Sequence, residues 1–333
     1  PIAIGANLEV KQLIEKANNL SHALVFPFRS NSAEVLKWII GQTPNWKPKY
    51  YLALIYWSRD DRSRAKELFA QCGEPDFAPF YASRAALLNN ETYAADIRKA
   101  AQLDPNQWRY GKLLIQHLIE KKNYGEALAT AKQYHTRFPR DFRLSMVLAN
   151  TLLLNNQIKA CIELLDQTTI LPSEGATDGR RLYHEAWLMQ AVDQLHSKNY
   201  KGALISINTA RRWPESMGSG KPYDEDIDER LENYLDGICY EKTKNPDQAK
   251  KKWNEIISFR KDGNNVNTLI TALALRQTNR NEEGEKLLSE WVQKEPGTKL
   301  ARRCTEVYHG TRPDGDVEGD TNYRVIRKFL FPQ

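Results

Sequence analysis

The sequence predicts an all-α fold, an array of short helices packed as consecutive antiparallel pairs. Three observations predict it. Apolar residues recur at helical spacing, the helical stretches come two by two across tight polar turns, and a small residue opens most of the second helices. The unit is clearest in Lys49–Cys72, KYYLALIYWSRDDRSRAKELFAQC. Tyr51, Leu52, Ile55 and Tyr56 keep one helical face, Ser58–Asp61 break it, and Ala65, Leu68, Phe69 and Cys72 resume it. Ala53 and Ala65 are small where two helices must approach closely, and Phe69 fills the space between them.

The other elements follow in order. Residues 8–20 form a helix with Leu8, Leu13 and Ile14 inward, Ala23–Arg29 is broken by Pro27, and Ser32 caps a helix that runs to Ile40 before Pro44. After Lys49–Cys72, pairs are expected at 77–88 with 92–103, 108–120 with 124–138, 142–154 with 158–168, and 183–196 with 200–212. Two more span 234–257 and 265–294. The residue opening each second helix falls at Ala65, Tyr93 (imperfectly), Ala127, Cys161, Ala203, Ala249 and Gly284, at intervals of 28, 34, 34, 42, 46 and 35 residues. The long intervals place surface-loop insertions at Leu171–Arg181 and Pro214–Glu229. This divides the chain into 1–44, N-terminal helices and a partial repeat; 45–296, seven irregular pairs; and 297–333, a capping helix at 298–308 with an acidic and apolar tail.

The spacing of small, large and aromatic residues resembles the tetratricopeptide repeat, with a period of about 34 residues. Gly237, Tyr240, Ala249 and Trp253 stand where that family has its Gly, Tyr, Ala and Phe. The resemblance implies a right-handed superhelical solenoid that binds partners along a concave face lined by the first helix of each pair. A narrower likeness lies in FPFRSNSAEVLKWII, WKPKYYLALIYWSRDDRSRAKELFAQCGEPDFAPFYASRAALL and PESMGSGKPYDEDIDERLENYLDGICYEK. These phrases are similar to a group of large bacterial proteins in which a galactose-mutarotase-like β-sandwich region of uncharacterised function precedes a C-terminal tetratricopeptide array. The likeness implies that the chain, which opens at Pro1 and not at methionine, is such an array without its β partner. The compartment, cytoplasmic or periplasmic, stays open.

Composition narrows the function classes. The 48 basic and 42 acidic residues make a mixed surface of net charge +6, and the basic pairs are scattered, so no nucleic-acid stripe is expected. No apolar run reaches the roughly 18 residues of a membrane span. Cys72, Cys161, Cys239 and Cys304 lie far apart with no CxxC; the first three fall on apolar faces, and neither a disulfide framework nor a zinc site is expected.

Chemical motifs fail on inspection. Around Gly218-Ser219-Gly220-Lys221-Pro222, Glu215 and Pro222 occupy the positions where a phosphate loop needs Gly and Ser/Thr, which leaves a structured loop. Asp314, Asp316, Glu318, Gly319, Asp320 and Asn322 imitate an EF-hand loop, but Val325 stands where a bidentate carboxylate is required, so an acidic linker is expected. After it, Val325, Ile326, Phe329 and Leu330 form an apolar stripe expected to dock the tail on the last repeat. The six histidines show no metal spacing and read mostly as exposed helix residues, and Asp224, Asp226 and Asp228 read as a solvated loop. No catalytic residue, cofactor or metal ligand is expected.

What remains is surface. Carrying the family's groove positions across gives Tyr50, Leu54 and Trp57, then Arg84 on the short pair, then Arg109, Lys112 and Gln116, Arg143, Met146 and Asn150, and finally Leu188, Val192, Tyr234 and Ile238. Arginine forks beside aromatic faces suit carboxylates, acidic segments or sugars. The same residues also read as packing: Trp57 and Tyr50 against the next pair, and Leu188, Val192 and Ile238 as core. Lys112, Arg143 and Asn150 match only part of the family's dicarboxylate clamp, so chaperone tails are not expected. The reading is a non-enzymatic scaffold for protein or interdomain contacts, its partner the missing N-terminal β region. The alternative is an accessory module that binds carbohydrate.

Overall fold

The computed structural model describes residues 7–22, 24–172, 177–259, 264–312 and 320–332. The fold is all-α and tetratricopeptide-like, with eighteen α-helices and no strand among the described residues. Two helices precede the pairs, α1 (Asn7–Asn19) and α2 (Ser30–Ile40). Seven pairs follow: α3 (Trp46–Ser58) with α4 (Arg62–Ala70), α5 (Ala78–Leu88) with α6 (Tyr93–Leu103), α7 (Trp108–Glu120) with α8 (Tyr124–Arg137), and α9 (Phe142–Leu154) with α10 (Ile158–Asp166). The last three are α11 (Asp178–His196) with α12 (Tyr200–Ala210), α13 (Arg230–Lys242) with α14 (Pro246–Ser258), and α15 (Val266–Gln277) with α16 (Asn281–Lys294). Two further helices, α17 (Lys299–Tyr308) and α18 (Thr321–Leu330), end the chain.

One backbone device builds all seven turns. Asp60, Asn89, Lys122, Asn156, Lys198, Lys244 and Asn279 each lie inside a pair with φ between 46° and 63°. In six of the seven the next amide donates to the carbonyl five residues back, as from Asp61 to Tyr56 (2.9 Å) and from Asn245 to Tyr240 (2.8 Å). That is the Schellman closure, in which a left-handed residue satisfies the last carbonyls of one helix and turns the chain back. Four residues after that closing amide's residue comes the small residue that opens the next helix. Ala65, Ala127, Cys161, Ala203 and Ala249 are all buried there, at 0 to 3% exposure, so the second helix can settle against the first. The α5–α6 turn departs: Asn89 donates only to Ala85, and Tyr93 replaces the small residue and stacks on His117 at 4.6 Å.

The chain divides within α8 into two compact units, residues 1–134 and 135–333. The core of the first is aromatic: Tyr50 is ringed by Trp46, Phe69, Phe77 and Phe80 at centroid distances of 5.8 to 5.9 Å. Edge and tilted ring contacts of this kind favour association beyond area burial alone. In the second unit a continuous core runs from Leu188 to Ile326. There the glycine of the repeat pattern has a direct reason, because a Cβ on Gly237 would lie 2.4 Å from the Trp253 ring.

Several expectations change. Leu13 faces outward at 65% exposure while Ile14 is buried, since only one of two adjacent helical positions can meet the core. Helix α2 starts at Ser30, two residues before the expected cap. Helix α11 begins at Asp178, within the segment read as a loop through Arg181, because Gly179 and Arg180 are themselves buried. The 214–229 insertion carries two short 3-10 turns, and Gly218 at φ 69° packs against Ile170. Among the histidines, His22, His117, His135 and His184 are half-buried, and only His196 and His309 are exposed. Asp224 and Asp226 are exposed as expected, whereas Asp228 is bound to Arg230 at 2.6 Å. The EF-hand-like residues Asp314, Asp316, Glu318 and Gly319 lie outside the described residues. Helix α17 packs on α15 and α16 as the expected cap. The tail is a helix; it touches α15 of the last repeat, as expected, but packs mainly on α11.

Candidate protein-interaction surfaces

The groove positions read from sequence divide into three fates. Tyr50 is 4% exposed, with its hydroxyl 3.4 Å from Ser83 Oγ, so it is an internal ring; Leu54 and Trp57 beside it are half-buried. Arg84 is also committed internally. Its Nε and Nη2 donate to Asp96 at 3.0 and 2.6 Å, Nη1 donates to Glu74 at 2.9 Å, and the guanidinium lies 5.2 and 5.1 Å from the rings of Phe80 and Tyr81. These pairings, with that to Asp96 first, hold Arg84 above its usual pKa.

Helix α7 keeps a polar face of Arg109 and Gln116, both exposed, with Lys112 half-buried. Arg109 lies 4.8 Å over the Trp108 ring and donates to Gln107 at 3.0 Å. On α9, Arg143 is exposed and donates twice to Asp141, at 2.9 and 2.7 Å, while Met146 and Asn150 are half-buried.

The third fate is coverage. Leu188, Val192, Tyr234 and Ile238 are buried at 0 to 8% in the same core as Tyr323, Val325 and Ile326 of α18. The C-terminal helix packs along α11 and reaches α13 and α15. Arg324 donates to Glu185 through Nε (2.7 Å) and Nη2 (2.5 Å), and Thr321 Oγ1 adds a third bond at 2.9 Å. Lys328 Nζ meets Asp193 at 2.6 Å and Asn156 at 2.9 Å. Asn322 donates to Asn267 at 2.9 Å, His196 Nε2 meets the Phe329 carbonyl at 2.9 Å, and the Phe329 ring lies 6.1 Å from that of Tyr234. Sequence reading found the apolar stripe and its contact with the last repeat but not its main receptor, α11, whose bonded residue lies more than 130 residues away. The only available signal was the apolar character of Leu188, Val192 and Ile238 at positions where an open groove would be polar.

Beside this contact, the start of α11, the residues leading into α13 and the start of α18 border an open hollow of about 450 Å³, lined by Arg180, His184, Trp213, Asp228, Glu232 and Thr321 among others. Its carboxylates Glu232 and Asp228 are committed. His184 Nε2 lies 2.7 Å from Glu232, and Asp228 is held by Arg230. Burial pushes the Glu232 carboxyl up, but the His184 charge and hydrogen bond and the Arg211 charge outweigh it and hold the group below the usual carboxylate range. Arg180 is 8% exposed, lies 4.4 Å over the Trp213 ring and donates to the Ala210 carbonyl at 2.8 Å; burial lowers its pKa. Glu232 and Asp228 are thus each paired with a basic group before any substrate arrives. No cluster of three or more metal-ligating side chains occurs among the described residues, and no described helix is long and apolar enough to cross a membrane.

The N-terminal helices and the segment between them present a surface that sequence reading missed. Leu13, Leu20, Leu24, Val25, Phe26, Phe28, Val35 and Trp38 are all exposed, Leu24 at 88%, Phe28 at 74% and Phe26 at 71%. Next to them lies an apolar hollow of about 250 Å³ between α1 and α3. The signal was the hydrophobic stretch Ala23–Arg29, which has no helical period.

No family model and no curated protein matches the chain. Solved structures do resemble it. One is of Naa15/Naa10 bound to HypK-THB, at 14% identity and a TM-score of 0.48, covering 90% of this chain and 44% of that one. Another is the C-terminal part of a TPR repeat-containing protein from Cytophaga hutchinsonii, at 12% identity and a TM-score of 0.48, covering 75% and 94%. A third is YrrB, a TPR protein with an unusual peptide-binding site, at 16% identity and a TM-score of 0.37, covering 74% and 99%. The chain thus spans under half the length of the first of these. The likeness is one of fold.

Proposed function

We propose that the chain is a non-enzymatic interaction scaffold, and that its partner is a β-sandwich region preceding it in a larger polypeptide. The observation that carries this reading is the group of eight exposed large apolar side chains between Leu13 and Trp38. Large contiguous apolar surface is uncommon on a free-standing domain and marks a contact with another body. Leu13 lies on α1, Val35 and Trp38 on α2 and the other five on the segment between them, all in the part of the chain nearest in sequence to a preceding region. The carbohydrate alternative has less support, because two rings that a sugar platform would use, Tyr50 and Tyr234, are packed among helices.

The test is calorimetric titration of the chain with the region encoded upstream in its parent gene. Saturable binding is expected, lost in a Phe26→Ser/Phe28→Ser double variant that keeps its helical circular dichroism. Binding of the upstream region that is unchanged in that variant, or no binding at all, overturns the proposal.

A further inference from the structure

The C-terminal helix is not part of the repeat stack. The pairs run in order to α16, and α17 already packs on α15 and α16 to close the last of them. Helix α18 instead lies across the first helices of the last pair and of earlier ones, with hydrogen-bond partners 136 and 139 residues away on α11. The contact joins an apolar seam to complementary charge. The helix brings Arg324 and, one turn later, Lys328; the receiving face brings Glu185 and, two turns later, Asp193. Glu185, 1% exposed, takes three bonds from α18, two from Arg324 and one from Thr321. Between and beyond the charges, Tyr323, Ile326 and Phe329 meet the apolar residues of α11, α13 and α15.

We infer that α18 is an intramolecular ligand of the face formed by α11, α13 and α15, and that this face recognises a short basic amphipathic helix. Two features set its specificity: the Glu185 carboxylate, which demands a bidentate guanidinium, and the apolar bed around Tyr234, which takes an aromatic side chain about one turn beyond it. A helix of the same chemistry on another protein engages this face only by displacing α18. The surface lies wholly within residues 135–333 and does not involve the N-terminal apolar residues.

The test uses the full chain with a protease site inserted between Arg312 and Asp320, folded intact and then cut. A fluorescent peptide of residues 320–332 is added in excess and followed by anisotropy. The cut chain is expected to exchange its own helix for one labelled peptide per chain, and the uncut chain to take up at least tenfold less. A peptide carrying Arg324→Ala is expected to bind at least tenfold more weakly to the same cut chain, which leaves the folded receptor unaltered. A Glu185→Gln receptor should show the same loss. Equal uptake by cut and uncut chains would place the peptide site elsewhere. Unfolding on cutting, or no exchange at all, would make α18 an integral part of the core; any of these results overturns the inference.

Discussion

Glu185 lies on α11 at 1% exposure, and Arg324 reaches it from the far end of the chain. A carboxylate so placed is tolerated because the Arg324 guanidinium and the Thr321 hydroxyl bond it and Arg181 of its own helix lies 3.6 Å away, since an unpaired buried charge costs several kcal/mol. Glu232, on α13, obeys the same rule with His184 and also gives a pH dependence. Its folded pKa lies below the usual glutamate value, so it contributes stability that is present above that value and is lost as pH falls through the lowered one. The midpoint of urea unfolding should therefore drop as pH falls below roughly 4, the ordinary carboxylate range. Glu232→Gln should be less stable than the parent at pH 7, and the difference should shrink toward pH 3. A gap that stays constant across that range would show that the carboxylate's charge is not what matters.

Each helix pair is built from a left-handed turn residue, a small residue at the opening of the second helix and a bulky one that fills the space beside it. The small residues could be picked out in sequence because period and size together are hard to mimic. The left-handed residues were legible only in part: Asp60, Asn89, Asn156 and Asn279 are of types that tolerate positive φ, whereas Lys122, Lys198 and Lys244 carry no such mark. Two glycine substitutions separate packing from backbone effects. Gly237→Ala forces a methyl into the Trp253 ring and should cost about 1–3 kcal/mol. Gly125→Ala, near the start of α8 where a Cβ meets nothing within 4 Å, should be neutral or stabilise by up to ~1 kcal/mol. Denaturant melts of both variants decide the matter, and equal losses would mean that the close approach at Gly237 is not the reason for its glycine.

Across the whole molecule, the four cysteines behave as small core residues. All are free and buried, and burial pushes the thiols of Cys72, Cys161 and Cys239 up to about 12 and raises that of Cys304 further. A thiol reagent at pH 8 should label fewer than one cysteine per native chain over minutes and all four in denaturant. Rapid labelling of any one in the native chain would mark that core as open.

Local periodicity determined the helix pairs, their order and most of their turns, because helical spacing and side-chain size act over neighbours a few residues apart. The burial of Tyr50 and Tyr234, the double commitment of Arg84, the outward apolar surface from Leu13 to Trp38 and the landing site of α18 were decided only in the tertiary structure. Each of these depends on which distant segment arrives at a helix face, and a side chain's own neighbours in sequence carry no record of that.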